Sequence, residues 1–333
     1  MNNRRRGFWL LVLIVFSASI ILYKLGIDDK EKMQNFYHIF THIILEAIPF
    51  IILGAIVSAV MQIYISNETI TKIIPKNNVI GYFGAALIGL IFPVCECAII
   101  PITRALIKKG VPLGFAITFM LAVPIINPVV IMSTYTAFYD VPSMVIIRVV
   151  GGIVAAISIG IIASLLQGRK NYLRLDYLIE NRSYCNCGCN SNFSIDKNTN
   201  RLKLVLEHAS KEFFDILIYL LAGTFIATGF QVVISTDKFN SIGNGKILSI
   251  IFMMVLAFIL SICSEADAFI GRSLLNQYSF SSVAVFLIMG PMLDIKNLMM
   301  LCGTFKKGFV LKLSLIITLV IGTLGYIFVI SGL

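Results

Sequence analysis

Two thiols and a carboxylate, Cys95-Glu96-Cys97, follow Pro93 in an otherwise apolar stretch that continues to Pro101 and Arg104. Thiols are soft ligands suited to a thiophilic metal or metalloid. A carboxylate at the centre of a bilayer costs about 2.5 to 3.5 kcal/mol on insertion scales, so Glu96 is expected to face a cavity or a partner. Residues i and i+2 do not share a helix face, so Cys95 and Cys97 can hold one ion only where the backbone unwinds, as Pro93 permits. The alternative is that both thiols are small packing residues and that Glu96 is paired with Arg104 or Arg272.

A second constellation, Cys263-Ser264-Glu265-Ala266-Asp267, brings a third thiol and two more carboxylates. Set against Arg104 and Arg272, the acids Glu96, Glu265 and Asp267 leave one formal negative charge over, which calls for a bound cation, a shared proton or a neighbouring lysine. Intramembrane carboxylates of this kind are the usual proton relays of antiporters. Asp267 could instead cap a helix or pair with Arg272. A third element is Asn127, bracketed by Pro124 and Pro128, with its counterpart Asp294 after Pro291. The prolines predict a break with freed carbonyls, where Asn127 and Asp294 contact or support a substrate; alternatively Lys296 simply neutralises Asp294. Cys185, Cys187 and Cys189 form a tight cluster whose three thiols suit zinc, copper(I) or trivalent arsenic, although a structural zinc site needs a further ligand such as His208. An incidental loop is the other reading of that cluster. His38, His42 and Glu46 make a polar stripe at helical spacing, for which interfacial anchoring is favoured over ion access.

The elements that must position these groups are membrane helices. Of 333 residues, 58% are hydrophobic and 13% charged, and the mean hydropathy is +0.91, which excludes an ordinary soluble domain. Apolar runs of about 20 residues match the roughly 30 Å of hydrocarbon that a helix must cross. Phe8 to Leu25, after Arg4, Arg5 and Arg6, is long and lacks a small-residue cleavage site, so it reads as a retained anchor rather than a signal peptide. The net charge of +10 lies in short clusters between apolar runs, a positive-inside pattern and not a nucleic-acid stripe. Seven cysteines, several of them within apolar segments, do not suggest a disulfide framework.

The chain repeats itself. A shift of 169 residues places Glu46, Gly54, Gln62 and Ser66 on Asp215, Gly223, Gln231 and Ser235. A shift of 168 places Cys95 and Arg104 on Cys263 and Arg272, and a shift of 167 places Pro124, Asn127 and Phe138 on Pro291, Asp294 and Phe305. The expected organisation is an N-terminal anchor helix over 1–30, a permease repeat over 31–167, a cytosolic Cys-containing loop over 168–206 and a second repeat over 207–333. Lys108 and Lys109 lie inside only if the short segments on either side of Pro93 form a re-entrant hairpin, with continuous kinked helices as the alternative. Each repeat then has about three crossings and one hairpin, so the two are inverted, an all-α plan common among secondary transporters.

The strings FPVCECAIIPITRALIKKGVPLGFAITFMLAVPIINP, SICSEADAFI and GPMLDIKNLMML resemble the broad bacterial permease family that includes the methylarsenite and organoarsenical efflux permeases. The resemblance covers most of the chain after the first helix and implies efflux of a thiophilic metal or metalloid. Its motifs match at Cys95, Cys97, Asn127, Cys263, Asp267 and Asp294. Arsenical exporters of this type tend to carry a small polar residue between the cysteines and glycine after them. Glu96 and Ala98 stand there in this chain, which moves the expectation toward a cation.

The expected protein is therefore a multi-pass secondary permease of the cell membrane, not an enzyme. It carries no Walker motif and no expected cofactor beyond a metal ion at the cysteine loop. Its expected partners are a small inorganic or organometalloid substrate, lipid and a second membrane subunit, with no nucleic acid. An intramembrane thiol redox protein or a non-transporting membrane subunit are the competing expectations, and C-x-C is poor geometry for the disulfide that the former requires.

Overall fold

The computed structural model of the protein describes residues 30–64, 78–90, 95–167, 173, 201–233 and 245–332. The expected anchor Phe8 to Leu25 and the Cys185, Cys187 and Cys189 cluster lie outside the described residues. Twelve α-helices are found among the described residues. The first six are α1 (Lys30–Tyr64), α2 (Asn78–Leu87, followed by one 3-10 turn), α3 (Glu96–Lys108), α4 (Leu113–Ile126), α5 (Pro128–Ala137) and α6 (Ser143–Gln167). The other six are α7 (Arg201–Val233), α8 (Lys246–Leu260), α9 (Asp267–Leu274), α10 (Phe280–Met292), α11 (Ile295–Thr304) and α12 (Lys307–Ile330).

Among the described residues, five helical spans are long and apolar enough to cross a membrane, or six if α4 and α5, bent by 41° at Asn127, form one. Their apolar surface is divided in a way that defines the interior. In α4 every residue from Gly114 to Ile126 is buried, and α10 is buried nearly throughout; helices apolar on all sides belong in the centre. α1, α6, α7 and α12 instead expose large side chains such as Leu53, Leu165, Phe230 and Leu315, the surface a lipid-facing helix presents.

Contacts fix the helix directions. α3 lies along α1 and runs the same way: Gly54 abuts Ala98, Ser58 Oγ donates to the Pro101 carbonyl at 3.3 Å, and Lys109 Nζ donates to the Gln62 carbonyl at 2.7 Å. At Gly54 a Cβ would come within 2.7 Å of the Ala98 carbonyl, so only glycine allows this approach. α2 runs beside α4, with Gly81 against Phe115 and Gly89 against Val123. Since α4 starts just after α3 ends, α2 begins and α3 finishes at one end of the molecule, beside the last turns of α1. α7 runs antiparallel to α1, joined by the Phe36, Phe40 and Phe225 rings near one end and by Gln62 and Glu212 near the other.

In the second half of the chain, Ser249 Oγ donates to Ser282 Oγ at 2.9 Å, and Phe252 stacks on Tyr278, so α8 begins where α10 begins. α9 returns to the same place, with Asp267 beside Gly290 and Gly271 against Leu287. α11 then runs antiparallel to α7, with Lys296 against Gly223 and Gly303 against Tyr219.

Candidate functional site

The site is built where short helices stop. Cys95 is the N-cap of α3 in an extended conformation, and Glu96 occupies its first turn. α8 ends at Ser261, which takes the left-handed conformation with φ of 49°, unusual for a residue other than glycine. That geometry turns the Ser261 hydroxyl toward the start of α11, where it accepts the Ile295 N–H at 3.0 Å and the Lys296 N–H at 3.3 Å. Residues 262–266 form the turn that leads into α9, which carries Asp267 in its first turn. The two turns meet directly: Ser264 Oγ donates to Glu96 Oε2 at 3.3 Å.

The proline-bracketed breaks serve as helix starts. Asn127 caps α5, its Oδ1 accepting the Val129 N–H at 3.0 Å, and Asp294 caps α11, its Oδ1 accepting the Asn297 N–H at 2.6 Å. Both are buried. Caps of this type satisfy amide groups that the first helical turn leaves without partners.

A cavity of about 270 Å³ opens beside these turns. Cys95, Glu96, Cys97, Cys263, Glu265 and Lys296 line it, together with His38, His42 and Glu46 from α1 and Gln231 from α7. The thiol–carboxylate residues of both motifs thus share one space. Cys263 Sγ donates to Glu46 Oε1 at 3.1 Å, and His42 Nδ1 lies 3.9 Å from Glu46 Oε2. The stripe His38-His42-Glu46, for which interfacial anchoring was the favoured expectation, forms a wall of the cavity.

Of the three cations expected, Lys296 stands beside Asp294, whereas the two arginines act elsewhere. Arg104 pairs with Glu212 of α7, both buried, and Arg272 pairs with Asp140 at 2.7 Å at a partly exposed position. Arg104 lies eight residues beyond Glu96, about 12 Å along the helix, and so serves a different layer. The cations at the site are Lys296, with Nζ 3.8 Å from both Glu96 Oε1 and Asp294 Oδ2, and Arg148. The Arg148 guanidinium is 1% exposed and donates to Asp267 Oδ2 at 2.8 Å, the Ser264 carbonyl at 3.0 Å and Thr134 Oγ1 at 2.7 Å. Asp267 therefore faces Arg148 instead of Arg272, and it does not line the cavity.

Arg148 was the residue missed, and Glu46 was read within a stripe for which interfacial anchoring was favoured over ion access. Arg148 carried a readable signal, a lone arginine inside the apolar run Met144 to Gly151, because an intramembrane charge requires a partner. Within the cavity wall, Glu46, Glu96 and Glu265 stand against the single ammonium of Lys296, so the space as a whole favours a positively charged occupant.

Comparison with known proteins gives a consistent picture. The profile of the ArsP_1 family, described as a predicted permease, matches residues 32–330. A Bacillus subtilis protein, the UPF0718 protein YcgR, is 42% identical over 287 residues, covering 85% of this chain and 93% of that protein. A protein of Streptococcus mutans serotype c, named as a two-component membrane permease complex subunit, is 41% identical over 274 residues, covering 82% of this chain and 88% of that one. No solved structure matches the chain.

Proposed function

The chain belongs to the ArsP_1 predicted permease family, and on that premise we propose that it is a secondary permease of the cell membrane that exports a thiophilic metal, metalloid or related cation. The observation that carries this reading is the sharing of one cavity by Cys95, Cys97 and Cys263 with Glu96 and Glu265. Soft thiols recognise the cargo. The carboxylates of the cavity exchange protons for it, so that no nucleotide and no chemical conversion is required.

An inverted-repeat architecture underlies this reading. Its support is that Glu96 and Ser264, which touch, are related by the same 168-residue shift that relates Cys95 to Cys263. Contact between equivalent residues is what an axis passing between the two turns would produce. The pairs α2–α3 and α8–α9 each return to the end from which they start, as re-entrant hairpins do, and they start from opposite ends of the molecule. Irregular backbone at that depth is tolerated because it lines a cavity. On this reading Lys108, Lys109 and the segment 168–206, whose last residues begin α7, are cytosolic, and Cys185, Cys187 and Cys189 capture the cargo before it enters.

The relative named as a subunit of a two-component membrane permease complex favours one addition, a second membrane subunit as partner of this chain.

Transport assays in everted vesicles test the proposal with a panel of trivalent arsenicals and divalent cations. Glu96→Gln is expected to abolish uptake while the protein still inserts, because the amide keeps the shape but cannot carry a proton. The double change Cys95→Ser with Cys97→Ser is expected to weaken cargo affinity first. Normal transport by Glu96→Gln would sink the proton-exchange reading, and unchanged affinity in the double variant would remove the thiols from recognition.

A further inference from the structure

The cavity has an internal order. On α1, His38, His42 and Glu46 are each four residues apart and so stand one above another, about 6 Å per step. His38 and His42 are exposed, Glu46 is half-buried, and Cys95, Glu96 and Cys97 at the far end are buried. Donor groups thus descend one helix face from the open rim to the floor. Midway down, Glu46 meets the second hairpin, and one donor atom each from Glu46, Cys263 and Glu265 lies within 4.8 Å of the others.

We propose that His42, Glu46, Cys263 and Glu265 form a distinct binding station for a borderline divalent cation of the zinc class, above the Cys95 and Cys97 pair. The inference rests on the permease reading and narrows its cargo. The donor set is one imidazole, one thiolate and two carboxylates. Mixed nitrogen, sulfur and oxygen ligation in fours is the habit of zinc, whereas magnesium and calcium take oxygen alone and copper(I) prefers sulfur. Around tetrahedral zinc, with Zn–S near 2.3 Å and Zn–O near 2.0 Å, neighbouring donors stand about 3.3 to 3.5 Å apart. The Cys263 Sγ to Glu46 Oε1 distance of 3.1 Å is already that short, and His42 Nδ1 stands 3.9 Å from the other oxygen of Glu46. His42 stands outside the group of three donors within 4.8 Å, so it completes the set of four only by turning toward the cation. Lys296, the cavity's ammonium, is held between Glu96 and Asp294, which directs its charge to the floor and not to this station.

The ligands come from both halves of the chain, α1 on one side and the turn before α9 on the other. Movement of one half against the other therefore assembles or opens the station, which is what a transport site must do.

The test uses full-length protein in detergent with Cys185, Cys187 and Cys189 changed to serine, so that loop thiols do not compete, and Co²⁺ as the spectroscopic probe with Zn²⁺ as competitor. Co²⁺ is expected to give a thiolate-to-metal charge-transfer band that Zn²⁺ abolishes. Cys263→Ser removes the band, and Glu46→Gln or Glu265→Gln keeps it but weakens affinity by more than about tenfold. The Cys302→Ser protein, changed at a thiol outside the cavity, retains both band and affinity. Survival of the band in Cys263→Ser, its loss in Cys302→Ser, or absence of Co²⁺ binding overturns the proposal. If Cys263→Ser does not purify folded, the glutamine variants decide, with unchanged affinity in both as the overturning result. Phenylarsine oxide binding is measured on the same samples. Arsenical binding without divalent-cation binding ends this inference and leaves the permease reading standing, whereas loss of both together with absent transport ends that reading too.

Discussion

The segments that begin at Cys95 and at Cys263, 168 residues apart in the sequence, are used differently. In the first, α3 begins at once, Cys95 and Cys97 are buried, and Glu96 meets Lys296 from the second half of the chain. In the second, five residues precede α9, so Cys263 and Glu265 are left half-buried on the cavity wall while Asp267 is carried inward to Arg148 from the first half. Each turn is thus anchored by a cation from the opposite half. The first shares its cation with Asp294; the second has an arginine of its own and a second acid that faces the cavity. A repeated motif fixes where a chain breaks, and the neighbours decide whether the break faces the cavity or holds the halves together.

The sharpest way to break this contrast is Arg148→Met, which leaves Asp267 buried without its cation. Loss of one partner of a buried pair costs about 3 to 5 kcal/mol, so a large fall in thermal unfolding temperature of the detergent-solubilised protein is expected, with partial recovery on adding Asp267→Asn. An unchanged melting temperature would show that the second turn is not anchored in this way. Lys296→Met should cost less, about 1 to 3 kcal/mol, because its contacts to Glu96 and Asp294 are long at 3.8 Å and the adjoining cavity admits water. Melting that equals or exceeds the Arg148 effect would reverse the ranking of the two turns. The smallest effect is expected at Gly54, against which the first turn packs. Gly54→Ala gains about 1 kcal/mol in helix propensity but meets the Ala98 backbone at 2.7 Å, and overpacking costs about 1 to 3 kcal/mol. A net loss near 1 kcal/mol should follow, whereas Gly84→Ala, with nothing within 4 Å, should be neutral or stabilising.

Much of the site was legible. Proline beside Cys95, Asn127 and Asp294 announced breaks, and the structure has helix starts at all three. Of the thiols and acids named from the sequence, Cys95, Glu96, Cys97, Cys263 and Glu265 line one cavity, Asp267 and Asp294 do not, and Cys185, Cys187 and Cys189 lie outside the described residues. Apart from the Lys296–Asp294 pair, partnerships were not legible. Arg104 and Arg272 were chosen for their nearness in sequence to the acids, yet a helix carries such neighbours to a different depth, and Arg148 reaches Asp267 across 119 residues of chain. Which faces of two helices meet depends on packing among all of them. The short local pattern around an acid does not contain that information, and for the same reason Glu46 looked like a surface anchor.

Three of the short helices begin at or next to the cavity floor with an acid in place: Glu96 in the first turn of α3, Asp267 in that of α9, and Asp294 at the N-cap of α11. The start of a helix carries about half a positive charge from its aligned peptide dipoles. Peptide groups therefore offset a share of the acidic charge that Arg148 and Lys296 do not cover, and unlike a lysine they have no side chain that can swing away. The electrical floor of this permease is set partly by main chain, so it persists through side-chain substitution and shifts only when a whole helix moves.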